Sequence, residues 1–120
     1  MGVVAERNCR RLSRQIFHGM VVHQGKLQNK QAFLFRLVDI ANELFALTAS
    51  VARVQAMREQ GHPDAANAEE LTDLFCRNAR RKVSALFRAL WRNDDVKKYK
   101  VALRVLDGSH AWLEQGILRL

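Results

Sequence analysis

Apolar residues return every third or fourth position along most of this chain, and the runs that carry the pattern are long. Between Gly25 and Gly61 lie thirty-five residues without a glycine or proline, and between Pro63 and Gly108 lie forty-four more. Strand-like alternation does not persist beyond a few residues, so the pattern predicts helix throughout. Val4 to Gln24 reads as a first helix, with Cys9, Leu12, Ile16 and Met20 on one face and Arg7, Arg10, Arg11 and Arg14 crowding the adjacent surface. Gly19 costs a helix interior about 1 kcal/mol relative to alanine, which marks it as the site of a close helix crossing. Gly25 ends the element.

A second helix is predicted from Lys26 to Glu59, roughly 50 Å at 1.5 Å per residue. Its seam is Leu34, Leu37, Ala41, Leu44, Thr48 and Val51, widened by Phe33, Ile40, Leu47 and Val54. A face that broad needs two or more neighbours, which makes this the central helix. Gly61-His62-Pro63-Asp64 is the strongest punctuation. Gly61 suits a left-handed C-cap, Pro63 cannot continue the helix, and Asp64 caps the next one. The third helix is expected to bury Leu71, Phe75, Ala79, Val83, Leu86 and Leu90, flanked by Phe87 and Trp91. Asn93-Asp94-Asp95 breaks it and starts a fourth, carrying Val96, Tyr99, Leu103 and Leu106. Asp107-Gly108-Ser109 turns into a short final helix with Trp112, Leu113 and Ile117. The fold class is all-α: a single four-helix bundle-like domain over residues 1–120, with two long helices and a short C-terminal helix.

Composition sharpens this picture without identifying a reaction. Apolar residues make up 48% of the 120, enough for a real core, so a wholly disordered chain is not expected. The net charge is +8 and the pI about 10.3, which favours nucleic acid, anionic lipid or an acidic protein surface without choosing among them. Cys9 and Cys76 share no C-x-x-C spacing, so neither a zinc site nor a disulfide framework is indicated. The first residues lack the apolar stretch of a signal peptide, and the expected location is cytoplasmic.

His18 and His23 stand five apart, a spacing that does not place both on one helical face, and no H-E-x-x-H occurs. Cys76 is expected to act as a small core hydrophobe. Glu69-Glu70 and Asp94-Asp95 are explained by helix starts that favour negative charge. The glycines form no phosphate-cradling pattern. No catalytic, cofactor-binding or metal-binding residue is assigned. What remains is a candidate interaction surface: Arg7, Arg10, Arg11 and Arg14 on the first helix, and Lys97, Lys98 and Lys100 on the fourth. Alanine at Leu44 or Phe75 is expected to cost core packing, and alanine at Arg11 or Lys98 to cost little stability.

Asp39-Ile40-Ala41, Ala46-Leu47-Thr48-Ala49, Arg53, the turn at His62-Pro63, Leu71, and Phe75-Cys76-Arg77-Asn78-Ala79-Arg80 together resemble a known domain. It is the helical domain at the C-terminus of acyl-CoA dehydrogenases of the very-long-chain type. Ala85-Leu86-Phe87-Arg88-Ala89-Leu90-Trp91-Arg92-Asn93-Asp94-Asp95 is similar to bacterial members. The resemblance runs from about Arg11 to the end. It implies a flavoprotein parent, in which FAD takes a hydride from an acyl-CoA and a glutamate of a separate catalytic region takes the proton. That region has no counterpart in this sequence, so the resemblance implies no enzyme activity and no cofactor for this chain alone. The implied role is a four-helix appendage that packs on the catalytic core, supports a homodimer and contacts a membrane peripherally. The alternative is an independent basic all-α protein that binds nucleic acid.

Overall fold

The computed structural model describes residues 2–23 and 30–116. Four helices follow one another: α1 (Gly2–His23), α2 (Gln31–Glu59), α3 (Ala65–Trp91) and α4 (Asp95–Leu106), before a single 3-10 turn at Ala111–Leu113. No strand occurs among the described residues. The all-α expectation holds, with two long helices and a short helical turn near the end. The second helix begins later than the sequence pattern suggests, at Gln31 with Lys30 in a non-helical conformation. The expected end at Gly25, the expected start at Lys26 and Ile117 of the final helix lie outside the described residues.

The turns follow from local chemistry. Gly61 adopts φ +67. His62 N–H donates to Met57 O at 2.9 Å and Gly61 N–H to Arg58 O at 3.1 Å, the paired bonds of a Schellman C-cap. Gly108, φ +89, closes α4 the same way, with Ser109 N–H on Arg104 O and Gly108 N–H on Val105 O. Asn93 ties the α3–α4 corner. Its amide donates to Ala89 O at 2.7 Å and Leu90 O at 3.1 Å, while its Oδ1 accepts from Asp95 N–H. Asp64 and Asp94 occupy the N-cap positions, but neither side chain makes a capping bond. The expectation that Asp64 caps through its carboxylate is corrected: the turn is held by His62 Nδ1, which accepts from Asp64 N–H.

The core is an antiparallel α2–α3 hairpin with α1 laid along it. Phe33, Leu37, Ile40 and Leu44 meet Val83, Phe87 and Leu90 in one cluster. Ala5, Leu47, Cys76 and Ala79 form the second. On α2 the buried positions fall at alternating steps of four and three, the spacing of a helix–helix seam, and Ile40 is fully enclosed. Ala41 and Thr48, expected in the seam, are exposed. Thr48 bonds back to Leu44 O instead.

Two other faces also differ from expectation. α3 buries Cys76, Ala79, Val83, Phe87 and Leu90, leaving Leu71 70% and Phe75 37% exposed. The reason is rotational: small Cys76 and Ala79 let the helices approach, and the bulky residues turn outward. α1 shows the same inversion. Its inward positions are Ala5, Leu12, Gln15, Gly19 and His23, whereas Cys9, Ile16 and Met20 are exposed. Gly19 does mark the close crossing: a methyl there would lie 2.5 and 2.6 Å from Cε1 and Cζ of Phe33. The Phe33 ring is itself boxed by His23 (centroids 5.1 Å) and Trp91 (5.3 Å).

Candidate interaction surface

The sequence-derived bases stay on separate elements. Arg7, Arg10, Arg11 and Arg14 are all exposed on α1, and Lys97, Lys98 and Lys100 are exposed on α4. Arg10 pairs with Glu6 one turn earlier at 2.6 Å. Arg11 lays its guanidinium 4.3 Å from the Phe87 ring centroid, a cation–π contact that fastens α1 to α3. Arg11 thus touches the core aromatic as well as solvent, a contact the sequence reading did not anticipate. Trp91 Nε1 donates to Gln15 Oε1 in the same seam.

α4 leaves the hairpin at a charged corner. Arg36 of α2 grips the Asp95 carboxylate with both guanidinium nitrogens, one of them at 2.8 Å. This fork-to-fork pairing is partly shielded from water and holds the Asp95 carboxyl below the usual carboxylate range, with the Arg36 hydrogen bond as the main cause. The same bond pushes the Arg36 guanidinium up. Beyond that corner no α4 residue is buried. An open depression lies beside the α3–α4 corner, lined by Asn93, Asp94, Val96, Lys97 and Lys100. Lys82 pairs with Glu43 across the hairpin, and Arg58 with Glu69 across the turn.

The side chains that dominate the surface are the ones the sequence reading missed. Phe35, Val38 and Phe45 line the side of α2 turned away from its core seam, and Phe45 is 76% exposed. Phe17, Met20 and Val21 do the same on α1, and Leu71 and Leu74 on α3. The usable signal was the breadth of the apolar text. α2 has apolar residues on opposite sides, and a helix can turn only one side to a given neighbour. Burial pushes the Cys76 thiol up, with Asp73 adding to the effect, and Cys9 is exposed. Among the described residues no group of three or more His, Cys, Asp and Glu side chains is placed to hold a metal ion. No described helix is long and apolar enough to cross a membrane.

Residues 2–109 match the family described as ACAD9/ACADV, C-terminal domain. The chain is 46% identical over 113 residues to the probable acyl-CoA dehydrogenase FadE10 of Mycobacterium tuberculosis, a match that covers 94% of this chain and 17% of that protein. The Mycobacterium bovis counterpart matches to the same extent. The human mitochondrial very long-chain specific acyl-CoA dehydrogenase is 25% identical over 109 residues, covering 88% of this chain and 17% of its own length. The chain thus spans about a sixth of the length of these relatives. No solved structure matches.

Proposed function

This chain belongs to the ACAD9/ACADV C-terminal domain family, and from that premise we propose that it is a non-catalytic helical assembly domain of an acyl-CoA dehydrogenase. Its surfaces meet a second copy and the catalytic core of the parent enzyme in the cytoplasm. In this reading the flavin and the reacting acyl-CoA are held by the catalytic core, and this domain contributes contact area alone.

The observation that carries the proposal is the inversion of burial. On α1 and the first half of α3, mostly small or polar residues face the hairpin core, with Leu12 the large exception, while Phe17, Met20, Leu71 and Leu74 face outward. Isolated exposed apolar residues are ordinary, but runs of them along successive turns make patches of the few hundred Å² that mark interfaces. A domain selected to stand alone would turn these residues in, at roughly 1.5–3 kcal/mol for each large side chain covered.

Sedimentation velocity on the full chain should show a dimer in the micromolar range. Co-expression with the catalytic region of an acyl-CoA dehydrogenase should yield a complex. A clean monomer that captures no such region overturns the proposal. The nucleic-acid alternative makes a contrasting prediction: DNA affinity falling steeply with salt, by a log–log slope of about 0.9 per phosphate neutralised. The assembly reading expects no measurable DNA binding at low salt.

A further inference from the structure

We infer that α4 is an exchanged arm: it docks its apolar stripe on the outward face of the first half of α3 in a second copy of this chain, and receives that copy's arm in return. This rests on the assembly reading and names the surfaces that carry it.

α4 has the sequence of a helix that must be covered. Val96, Tyr99, Leu103 and Leu106 repeat at steps of three, four and three, and Leu106 is 83% exposed. An isolated helix of about twelve residues is marginal in water, because nucleation is costly and few hydrogen bonds repay it. Local capping at Asn93 and Gly108 helps, but the stripe is where further stability must come from.

The chain's own α3 face is out of reach. Asp95 is pinned to Arg36, at the end of the hairpin opposite the Gly61 turn. Leu71 lies twenty residues before Trp91 on α3, about 30 Å along the axis, while α4 extends only about 18 Å. A copy lying antiparallel brings each arm root beside the other's Leu71–Leu74 face, and both contacts then form at once around a two-fold axis.

Charge selects the same pairing. Residues 64–75 contain Asp64, Glu69, Glu70 and Asp73 and no base. α4 carries Lys97, Lys98, Lys100 and Arg104 against the single acid Asp95. Glu69 and Asp73 already hold Arg58 and Arg77 of their own chain, so Asp64 and Glu70 supply most of the outward attraction. Leu71 and Leu74 sit among these acids as the apolar counterpart of the Tyr99–Leu103 stripe.

Cross-linking tests the geometry on the full chain, with Cys9 replaced by Ser. A mixture of Tyr99→Cys chains and Leu74→Cys chains should give the mixed disulfide under mild oxidation, and neither variant alone should cross-link. Lys97→Glu with Lys98→Glu should raise the dimer dissociation constant about tenfold, and mixing with Asp64→Lys, Glu70→Lys chains should restore association. Helical circular dichroism should stay unchanged in every variant, since all these positions are exposed. A dimer that forms no mixed disulfide and is indifferent to the charge reversals overturns the arm exchange and leaves the assembly reading intact. So does loss of catalytic-core binding in the α4 variants with the dimer unaffected. A wild-type chain that is monomeric and binds no core overturns both.

Discussion

Replacing Gly19 by alanine sets two effects of known size against each other. In an exposed helix interior the substitution stabilises by about 1 kcal/mol, because glycine loses more backbone freedom on folding. Here the new methyl would stand 2.5 Å from Cε1 and 2.6 Å from Cζ of Phe33. Carbon atoms rest at about 3.5–4.0 Å, so α1 or the ring must give by an ångström. The ring has little room: it is 4% exposed and confined by His23 and Trp91. Overpacking of this kind costs about 1–3 kcal/mol. The clash should win, with net destabilisation up to about 2 kcal/mol and α1 loosened from the hairpin. Urea unfolding followed by far-UV circular dichroism reads the change. Phe33→Leu removes the two carbons concerned, so in that background Gly19→Ala should recover its helix benefit and stabilise. Stabilisation by Gly19→Ala in the wild-type chain would refute the packing argument. Equal effects in the two backgrounds would show that Phe33 is not the neighbour that matters.

Other perturbations test the remaining packing and charge assignments. Leu44→Ala should cost about 2–5 kcal/mol because its side chain is enclosed in the hairpin. Phe75→Ala should cost clearly less in the same urea series, since that ring is partly in water and outside the core clusters. A thiol reagent should modify Cys9 rapidly in the folded chain and Cys76 only on unfolding, as burial both shields Cys76 and disfavours its thiolate. Asp95 binds protons less readily when folded than when unfolded, so the stability from its Arg36 bond is fully present above about pH 4. It is lost as pH falls through the lower folded value. Asp95→Asn should therefore remove part of the acid limb of the stability profile and leave its neutral-to-alkaline course unchanged in shape.

Local features were legible because their causes are local. Gly61, Asn93 and Gly108 end or begin helices through backbone conformation and short-range hydrogen bonds, which residue identity nearly specifies. Gly19 announced a close crossing for a different reason: a glycine inside a helix costs stability unless its missing side chain makes room for a neighbour, here Phe33. The candidate surface was only half legible. The bases on α1 and α4 are exposed as expected, but Arg11 covers Phe87 and so also serves packing. Phe35, Val38 and Phe45 passed unnoticed because apolar residues at helical spacing read as core, whichever side of the helix they occupy.

From the amino-acid order alone came the helices, the order of the turns, the excess of apolar text and the likeness to a dehydrogenase appendage. On α1 and the first half of α3, only the tertiary structure decided which side is inside. On α1 the residues 9, 12, 16 and 20 offered the oilier face, yet of these only Leu12 packs on the core; Gly19 turned inward where a side chain would meet Phe33, and small Ala5 packs with Leu47, Cys76 and Ala79. On α3, Cys76 and Ala79 are buried as expected, and it is Leu71 and Phe75 that turn outward. Periodicity measures how much apolar surface a helix carries. The inward side is chosen by close packing between neighbours, which a single helix does not encode.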